Sequence, residues 1–403
     1  MVRVVLAGVG GYGRNYLREL LQRASRNEVR LVGAADPRFP EDPMVDELRA
    51  MGVPLCSSLH ELLDRVREAD LAIISSPIAF HCEQTCLSLS RGAHVLCEKP
   101  AAPRIEDVEA MIAARDRFRR EVVVGFQWCF SDAVRRLKQD ILNGVFGKPV
   151  RLKTLVCWPR NETYYARSWA GKMKDASGRW VMDSVAMNAA SHYLHLMFYL
   201  LGEAPDRSAK PKRVVAETYR ANRIETFDTC VLRAWTERET ELLFAASHAI
   251  SDNRGPIIEF EFEHAVIRYD SGGDVRTFQA EFRNGRLVDY GSPDKPANAK
   301  LDTAIEAARN PGAFNPCGLE ASLSHTLCIQ AIHASVPEPA EFPESVRRYD
   351  RDRRLVWVEG LSDVLNRCYE EWALPGELGV FWARRGEVID LPPSRASGEC
   401  NPK

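Results

Sequence analysis

Along the first 126 residues, short and almost wholly apolar runs alternate with longer stretches whose apolar residues recur at helical spacing. Runs of this kind are typical of strands buried on both faces of a parallel sheet. They lie at residues 2–7, 29–35, 71–75, 94–97 and 122–126. Helices are predicted between them, among others over 81–91 and 105–118. The alternation predicts an α/β domain with a doubly wound parallel sheet.

The pattern changes after about residue 212, where short strands follow one another without intervening helices. These strands are predicted at residues 231–235, 241–247, 257–262 and 265–269. Glycine, aspartate and asparagine fill the turns, which favours an antiparallel sheet with one face exposed to solvent or covered by a partner. Helices are predicted before the sheet, from Ser131-Asp132 to about Gly144, and after it, over 319–334 and 361–372.

Length and composition agree with two globular domains. The 403 residues exceed what one ordinary core needs, and 45% of them are hydrophobic and 27% charged. We therefore divide the chain into an N-terminal α/β domain (1–126), a C-terminal α+β domain (127–390) and a mobile tail (391–403). The net charge of −2 gives no electrostatic reason to expect nucleic acid or a membrane surface as partner. No apolar run approaches the roughly 20 residues of a membrane span, and we expect the first apolar run to be a strand rather than a signal peptide.

The eleven cysteines are odd in number and form no C-x-x-C pair. His81, Cys82 and Cys86 come closest to a metal-ligand spacing, as do His94 and Cys97, but neither group has the regular clustering of a zinc site. We therefore expect free thiols packed as small apolar residues in a reducing cytoplasm, and no metal.

A glycine pattern, G-x-G-x-x-G over residues 8–13, joins the first strand to the first helix. In this setting Gly8 permits the tight turn, Gly10 lets the backbone approach a pyrophosphate, and Gly13 allows the helix to pack closely on the strand. Asp36 ends the second strand, 23 residues after Gly13, where a carboxylate can bind an adenosine ribose. The chain is thus predicted to bind a dinucleotide, with NAD favoured by Asp36. NADP is the alternative, because Arg38 can pair with a 2′-phosphate.

Two later segments carry a family resemblance. Ser75-Ser76-Pro77 and His81 stand where dinucleotide enzymes place a loop under the nicotinamide, and residues 92–100 read G-A-H-V-L-C-E-K-P. The second segment resembles the G-K-H-V-x-x-E-K-P signature of the glucose–fructose oxidoreductase / inositol dehydrogenase (Gfo/Idh/MocA) family. The resemblance implies a Rossmann domain followed by an α+β domain with an open, mostly antiparallel sheet. It also implies oxidation or reduction of a hydroxyl or carbonyl group of a sugar, cyclitol or related polyol.

Lys99 gains a chemical role in this context. It closes a central strand at the carboxyl edge of the sheet, where ligands of such folds bind, and an ammonium there can stabilise alkoxide character on a substrate. A surface lysine at a strand end is the alternative. Pro100 stiffens the turn, with a cis bond as one way of doing so. The predicted cofactor contacts are Gly8, Gly10, Gly11, Tyr12, Gly13, Asp36, Arg38, Ser75, Ser76, Pro77, His81, Glu98, Lys99 and Gln127.

A segment after residue 157 combines aromatic and polar side chains that suit a polyol pocket, where rings stack on the sugar and polar groups bond hydroxyls. Rim or interface residues have a similar composition. Cys129 stands where many family members have an arginine, so a contact made by that arginine is absent. The predicted substrate contacts are Trp128, Arg160, Tyr164, Trp169, Lys172, Asn188 and His192.

The resemblance places an acid–base histidine at His192, ten residues before a helix-ending Gly202. Histidine is the natural base for an alcohol proton near neutral pH. The family aspartate four residues earlier is Asn188 here, which cannot take a proton, and Asp183 is the nearest carboxylate that can substitute. His195 is an alternative base, and a capping or core histidine is an alternative role for His192.

These residues favour a cytoplasmic NAD(P)-dependent dehydrogenase or ketoreductase that acts on CH–OH groups. In the family the C-terminal sheet often makes a dimer interface, which implies a homodimer or homotetramer. Two other functions stay open: a redox-neutral, NAD-dependent glycosidase-type enzyme, which the change at Asn188 keeps in view, and a non-catalytic NAD-sensing protein.

Overall fold

A computed structural model describes residues 1–274 and 276–392 of the chain. Two compact units are present. The first unit comprises Met1–Ser131, Lys174–Val181 and Asp294–Thr326, and the second takes Asp132–Met173, Met182–Pro293 and the chain from Leu327 onward. Of the predicted tail 391–403, residues 393–403 lie outside the described residues.

The first unit is built on a six-stranded, fully parallel sheet of order β3-β2-β1-β4-β5-β6. The strands are β1 (Val2–Ala7), β2 (Val29–Ala35), β3 (Leu55–Cys56), β4 (Leu71–Ile74), β5 (His94–Cys97) and β6 (Val122–Val124). All four residues of β4 and of β5 are buried, as the continuous apolar runs predict. The doubly wound parallel sheet is confirmed.

Helices accompany the strands of this sheet: α1 (Gly13–Ser25), α2 (Pro43–Ala50), α3 (Leu59–Arg65), α4 (His81–Ser90) and α5 (Ile105–Phe118). A further helix, α9 (Ala299–Arg309), belongs to the same unit although it comes from late in the sequence. Its buried side chains lie against β5, β6 and the 3₁₀ turn Gln127–Phe130. The first unit is therefore completed by a segment that the sequence analysis left in the C-terminal domain.

The second unit contains a ten-stranded, mostly antiparallel sheet of order β14-β13-β12-β11-β7-β10-β9-β8-β15, with β18 also paired to β8. Only the β7–β10 and β8–β15 pairs are parallel among these described pairs. The strands are β7 (Pro149–Cys157), β8 (Pro211–Arg220), β9 (Thr229–Thr236), β10 (Glu241–Ser247), β11 (Arg254–Phe262), β12 (Ala265–Asp270), β13 (Phe278–Phe282), β14 (Leu287–Gly291), β15 (Ala340–Glu341) and β18 (Ile389–Asp390). This confirms the predicted fold class of the C-terminal part.

The remaining elements are α6 (Asp132–Leu142), α7 (Glu162–Tyr165), α8 (Ser191–Leu200), α10 (Leu319–Ser335), α11 (Leu361–Glu371) and a hairpin of β16 (Arg347–Asp350) and β17 (Leu355–Val358). None of the helices in the described ranges combines the length and apolar character that a membrane span requires. All ten cysteines in those ranges are free thiols, as predicted, and Cys400 lies outside them.

Helix α11 covers one face of the sheet in its middle. Leu361, Leu365 and Cys368 of this helix pack in one core cluster with Leu155 of β7 and Leu243 of β10. Both faces of β10 are consequently buried, whereas β11 alternates between buried and partly exposed positions. The prediction of a sheet face left to solvent or to a partner is therefore wrong for these middle strands, because the chain itself supplies their cover.

Candidate active site

The glycine loop is shaped by two close approaches of backbone. Gly8 has a φ of +83°, and a Cβ atom on it would lie 2.7 Å from the backbone of Ser75. A Cβ on Gly13 would lie 1.9 Å from the carbonyl oxygen of Gly8. Gly10 has nothing within 4 Å of the same position, and Gly11 has a φ of +54°. The loop therefore closes tightly on the protein side, while the face at Gly10 stays open to an approaching phosphate.

Asp36 is fixed to this loop. One of its carboxylate oxygens accepts hydrogen bonds from the amides of Val9 (2.8 Å) and Gly10 (3.3 Å), and the other accepts from the amide of Arg38 (2.9 Å). Arg38 is exposed. A carboxylate has about four acceptor positions, so Asp36 retains capacity for a ribose hydroxyl beside the loop.

The predicted nicotinamide loop contributes a hydroxyl to the same place. The buried Ser75 Oγ has no hydrogen-bond partner in the described structure, and it lies 3.4 Å from where a Cβ of Gly13 would be. Ser76 donates through Oγ to Gln84 (2.6 Å), and Pro77 is exposed. This hydroxyl, unpaired among the described residues, lies beside the glycine loop and can donate to a dinucleotide phosphate.

His81 holds this loop to the turn after β5. Its ring nitrogens lie 2.9 Å from the carbonyl oxygen of Pro100 and 3.0 Å from that of Ser76. Burial lowers the pKa of His81, although both carbonyl contacts favour the protonated ring. The Lys99–Pro100 bond is cis. His81 is only 1% exposed, so its ring fixes the positions of these two segments from inside the protein.

Glu98 lies at the centre of a buried cluster that the sequence analysis did not find. Its carboxylate accepts a hydrogen bond from Tyr16 (2.5 Å) and forms an ion pair with Lys300 of α9. The Lys300 ammonium also lies 4.5 Å from the ring centre of Tyr12 in the glycine loop. Burial alone would raise the pKa of Glu98, but Lys300 outweighs it, and the pKa is lowered from its usual value. The sequence did contain one indication that Lys300 is buried, because Lys300 shares a helix face with the apolar Ala304 and Ala307.

Lys99 is half-buried, and its amide donates to the Glu98 carboxylate (3.2 Å). The ion-pair cluster is therefore continuous with the turn that carries Lys99. Gln127 is exposed. Trp128 is buried, and its indole N–H donates to Asp294 (2.9 Å), so its ring is part of the packing of the first unit.

In the second unit, Asn188 and Asp183 are in direct contact. The Asn188 side-chain amide donates to one carboxylate oxygen of Asp183 (3.0 Å), and the other accepts from the amide of Gly171 (2.7 Å). Asn188 lies in a π-helical turn, Val185–Ala189, of the kind often found at functional sites. This chain has Asn188 in place of the family aspartate, but the Asp183 carboxylate lies directly beside it.

The two candidate histidines differ in accessibility. His192, in the first turn of α8, is half-buried, and its ring centre lies 6.3 Å from that of Tyr193. His195 is fully buried and stacks on Tyr199 at 5.9 Å. His192 is therefore the more exposed of the two rings.

The predicted substrate segment forms a connected group of rings and guanidinium groups. Tyr164 packs edge-on against Trp169 at 6.0 Å, and Trp158 packs edge-on against Tyr193 at 5.5 Å. The guanidinium of Arg160 lies 5.3 Å from the ring centre of Tyr164. The ammonium of Lys172 pairs with Glu225 at 2.9 Å.

Residues 2–126 match the family model GFO_IDH_MocA, described as "Oxidoreductase family, NAD-binding Rossmann fold". The chain is similar to an inositol 2-dehydrogenase of Mycolicibacterium gilvum, with 27% identity over 207 residues, which are 50% of this chain and 53% of that protein. It is also similar to a scyllo-inositol 2-dehydrogenase (NADP(+)) of Bacillus subtilis, with 25% identity over 57% of this chain and 65% of that protein. The chain spans about half the length of the first of these relatives.

Among solved structures, the WlbA dehydrogenase of Bordetella pertussis, in complex with NADH and UDP-GlcNAcA, superposes with a TM-score of 0.67 and 25% identity. The match covers 83% of this chain and 96% of that one. A UDP-N-acetylglucosamine 3-dehydrogenase of Acidithiobacillus ferrooxidans has a TM-score of 0.63 at 19% identity, over 82% of this chain and 95% of that one, and so shares the fold.

Proposed function

We propose that the chain is an NAD-dependent dehydrogenase or ketoreductase of a sugar, cyclitol or similar polyol, in accord with the match of residues 2–126 to the Gfo/Idh/MocA model of NAD-binding oxidoreductases. The observation that carries the proposal is the dinucleotide cradle of Gly8, Gly13 and Asp36, linked through the Glu98 cluster to the Lys99 turn. A protein that only bound NAD would need the glycine loop and Asp36, but it would not need a lysine in the turn after β5.

The residues of the first unit fit NAD. The loop at Gly10 and the first turn of α1 would hold the pyrophosphate, with the Ser75 hydroxyl as a further donor, and Asp36 would accept from the adenosine ribose. A carboxylate at that position repels the additional phosphate of NADP, so we propose NAD as the cofactor. When bound, the nicotinamide accepts or donates the hydride.

Lys99 and His192 would perform the polar part of the reaction. The ammonium of Lys99 would stabilise negative charge on the substrate oxygen as the hydride leaves or arrives. His192 would accept the hydroxyl proton on oxidation and return it on reduction. Asn188, fixed by Asp183, would orient a substrate hydroxyl but cannot take a proton.

Turnover tests the proposal. NADH formation and consumption would be followed against a panel of polyols and keto-sugars for the wild type, Lys99→Met and His192→Ala. We expect each variant to lose about 10²–10⁴-fold in rate while its NADH affinity stays close to that of the wild type. Undiminished rates in both variants would contradict the roles. Aglycone release from a glycoside without net change in NADH would instead favour the redox-neutral enzyme, and NADH binding without turnover would favour a sensor.

We further propose that the protein works in a reducing compartment such as the cytoplasm, in accord with its free thiols. If the protein forms a homodimer or homotetramer through its sheet, the proposed interface is the part of the sheet along β11–β14. Helix α11 leaves this part uncovered. The partly or fully exposed side chains of the proposed interface include Glu259, Arg268 and Glu281. Arg268 forms an ion pair with each of the two glutamates. Light scattering of the wild type and of Arg268→Glu would test this interface, since only dissociation of the variant supports it.

A further inference from the structure

We propose that the substrate carries an anionic group, a carboxylate or a phosphate, and that Arg160 and Arg167 bind it beside Tyr164. The proposal rests on the function proposed above and narrows its substrate class to sugar acids or sugar phosphates. It is carried by two guanidinium groups that share one aromatic ring and have no carboxylate partner in the described part of the chain.

The geometry of the pair is compact. The guanidinium carbon of Arg160 lies 5.3 Å from the ring centre of Tyr164, and that of Arg167 lies 5.0 Å from the same centre. Arg160 also lies 6.0 Å from the ring centre of Trp158, and Arg167 lies 5.7 Å from that of Trp169. Each positive charge is thus held against the Tyr164 ring, which places the two guanidinium carbons within about 10 Å of each other.

Other cations of the same region are neutralised, but these two are not. Arg354 pairs with Glu162 at 3.0 Å, and Lys172 pairs with Glu225 at 2.9 Å. Within the described residues, neither Arg160 nor Arg167 forms an ion pair. Two like charges without counterions repel each other, so an anion placed between them would be stabilised by both.

Arg160 is anchored rather than freely mobile. It donates through Nη1 to the carbonyl oxygen of Pro159 (3.2 Å), and its backbone amide donates to that of His248 (3.2 Å). Its Nε is buried and has no hydrogen-bond partner in the described structure. A partly buried cation with an unused donor is costly to the free protein, and a bound anion would relieve that cost.

Among the titratable groups near the pair, His248 and Tyr164 carry no negative charge, whereas the Asp183 carboxylate acts on the Tyr164 hydroxyl. Burial, together with Arg160, lowers the pKa of His248 to about 3, so its ring is neutral near pH 7. Burial also raises the pKa of Tyr164 well above 10, which keeps its hydroxyl protonated. The carboxylate of Asp183 is 2% exposed and is bound by Gly171 and Asn188. Two guanidinium groups therefore lie near Tyr164 together with one carboxylate, which already accepts hydrogen bonds within the protein.

The residue types fit an anionic sugar. The planar guanidinium fork matches the oxygens of a carboxylate or a phosphate and binds them through paired hydrogen bonds. The rings of Trp158, Tyr164 and Trp169 offer stacking surfaces for the apolar face of a pyranose next to that group. Asn188 contacts the Asp183 carboxylate within the same unit, and is placed to orient a hydroxyl.

Binding measurements on the full chain saturated with NADH test the proposal. The probes are D-glucuronate for the carboxylate, D-glucose 6-phosphate for the phosphate and D-glucose as the neutral counterpart, titrated by calorimetry. We expect at least one anionic probe to bind about 10- to 100-fold more tightly than glucose, the range for hydrogen bonds to charged groups. Arg160→Met and Arg167→Met should each remove most of that preference, and Arg160→Lys, which keeps the charge but not the fork, should retain part of it.

Arg286→Met is the matched control. Arg286 also stacks on an aromatic ring in the second unit, 3.9 Å from the centre of Phe282, and forms no ion pair among the described residues. Its loss should leave the preference unchanged. Equal affinity for glucose and both anions, or a preference that survives in both Arg160→Met and Arg167→Met, would overturn the proposal. NAD-dependent turnover of neutral polyols without preference for anions would overturn this inference alone. Preferred anion binding without turnover of any substrate would overturn only the proposed function.

Discussion

Replacing Lys300 by methionine would leave Glu98 as an uncompensated charge inside the first unit. The two side chains are 5% and 10% exposed, so solvent cannot replace the lost partner. Removing one member of a buried ion pair costs about 3–5 kcal/mol in stability, because the remaining charge stays desolvated. Tyr16 still donates one hydrogen bond to Glu98, which offsets about 1.5–3 kcal/mol of that charge's desolvation and argues for the lower end of the range.

The same substitution should change how stability depends on pH. In the wild type the pKa of Glu98 is lowered, so the pair stabilises the fold above the ordinary carboxyl pKa and this contribution is lost as pH falls through the lowered value. Without Lys300, burial dominates and the pKa of Glu98 rises, so the folded variant loses stability as pH increases. The stability difference between the two proteins should therefore be largest at neutral and alkaline pH and shrink toward about pH 4.

Guanidinium chloride denaturation between pH 4 and pH 8 measures this difference. Lys212→Met is the matched control, because it removes a lysine from the exposed ion pair with Glu239 and should change stability little. The double variant Lys300→Met/Glu98→Gln, which has no buried charge, should recover part of the loss and lack the pH dependence. If Lys300→Met costs no more than Lys212→Met, or costs the same at every pH, the reasoning about a buried pair is refuted.

The glycine loop and Asp36 give two further predictions. Gly13→Ala should abolish NADH binding and lower the melting temperature, because its Cβ would lie 1.9 Å from the Gly8 carbonyl oxygen. Gly10→Ala should keep the melting temperature of the wild type and lose only NADH affinity, because nothing lies within 4 Å of its Cβ position. Equal melting temperatures for the two variants would contradict this division, and differential scanning fluorimetry with NADH titration measures both quantities. Asp36→Asn should weaken NAD binding by about 10-fold or more, because it removes a charge-assisted hydrogen bond to the ribose. NADP binding should weaken less, because the substitution also removes the repulsion of the 2′-phosphate. An unchanged ratio of the two dissociation constants would count against the role of Asp36.

The sheet of the first unit could be predicted because its strands are buried on both faces and therefore appear as unbroken apolar runs. The glycine loop could be predicted for a related reason. At Gly8 and Gly13 neighbouring backbone lies so close that no side chain fits. Helix α3 was missed although it carries a local signal: the Ser58 side chain accepts from the amide of Glu61, and Glu61 accepts from the amide of Ser57. These contacts resemble a capping box, whose S-x-x-E signature the sequence shows, although Glu61 bonds the amide of Ser57 rather than that of the N-cap residue Ser58.

The contacts that could not be predicted join residues far apart in sequence. Lys300 and Glu98 are 202 residues apart, and no local pattern relates them. The packing of α11 on β7 and β10 also joins residues far apart in sequence. The unbroken apolar run of β10 did indicate that both faces of this strand are buried. Asp183 and Asn188 are only five residues apart, and their contact was accordingly within reach of sequence reasoning.

The late position of α9 has a consequence for biosynthesis. The ribosome makes Glu98 first and must add 202 residues before Lys300 exists. At about 5–20 residues per second this interval lasts roughly 10 to 40 seconds. During that time α9 is not yet there to cover β5 and β6, and Glu98 lacks its ion-pair partner Lys300. The dinucleotide cradle, although encoded almost entirely at the start of the chain, is therefore completed only after nearly all of the second unit's sheet has been synthesised.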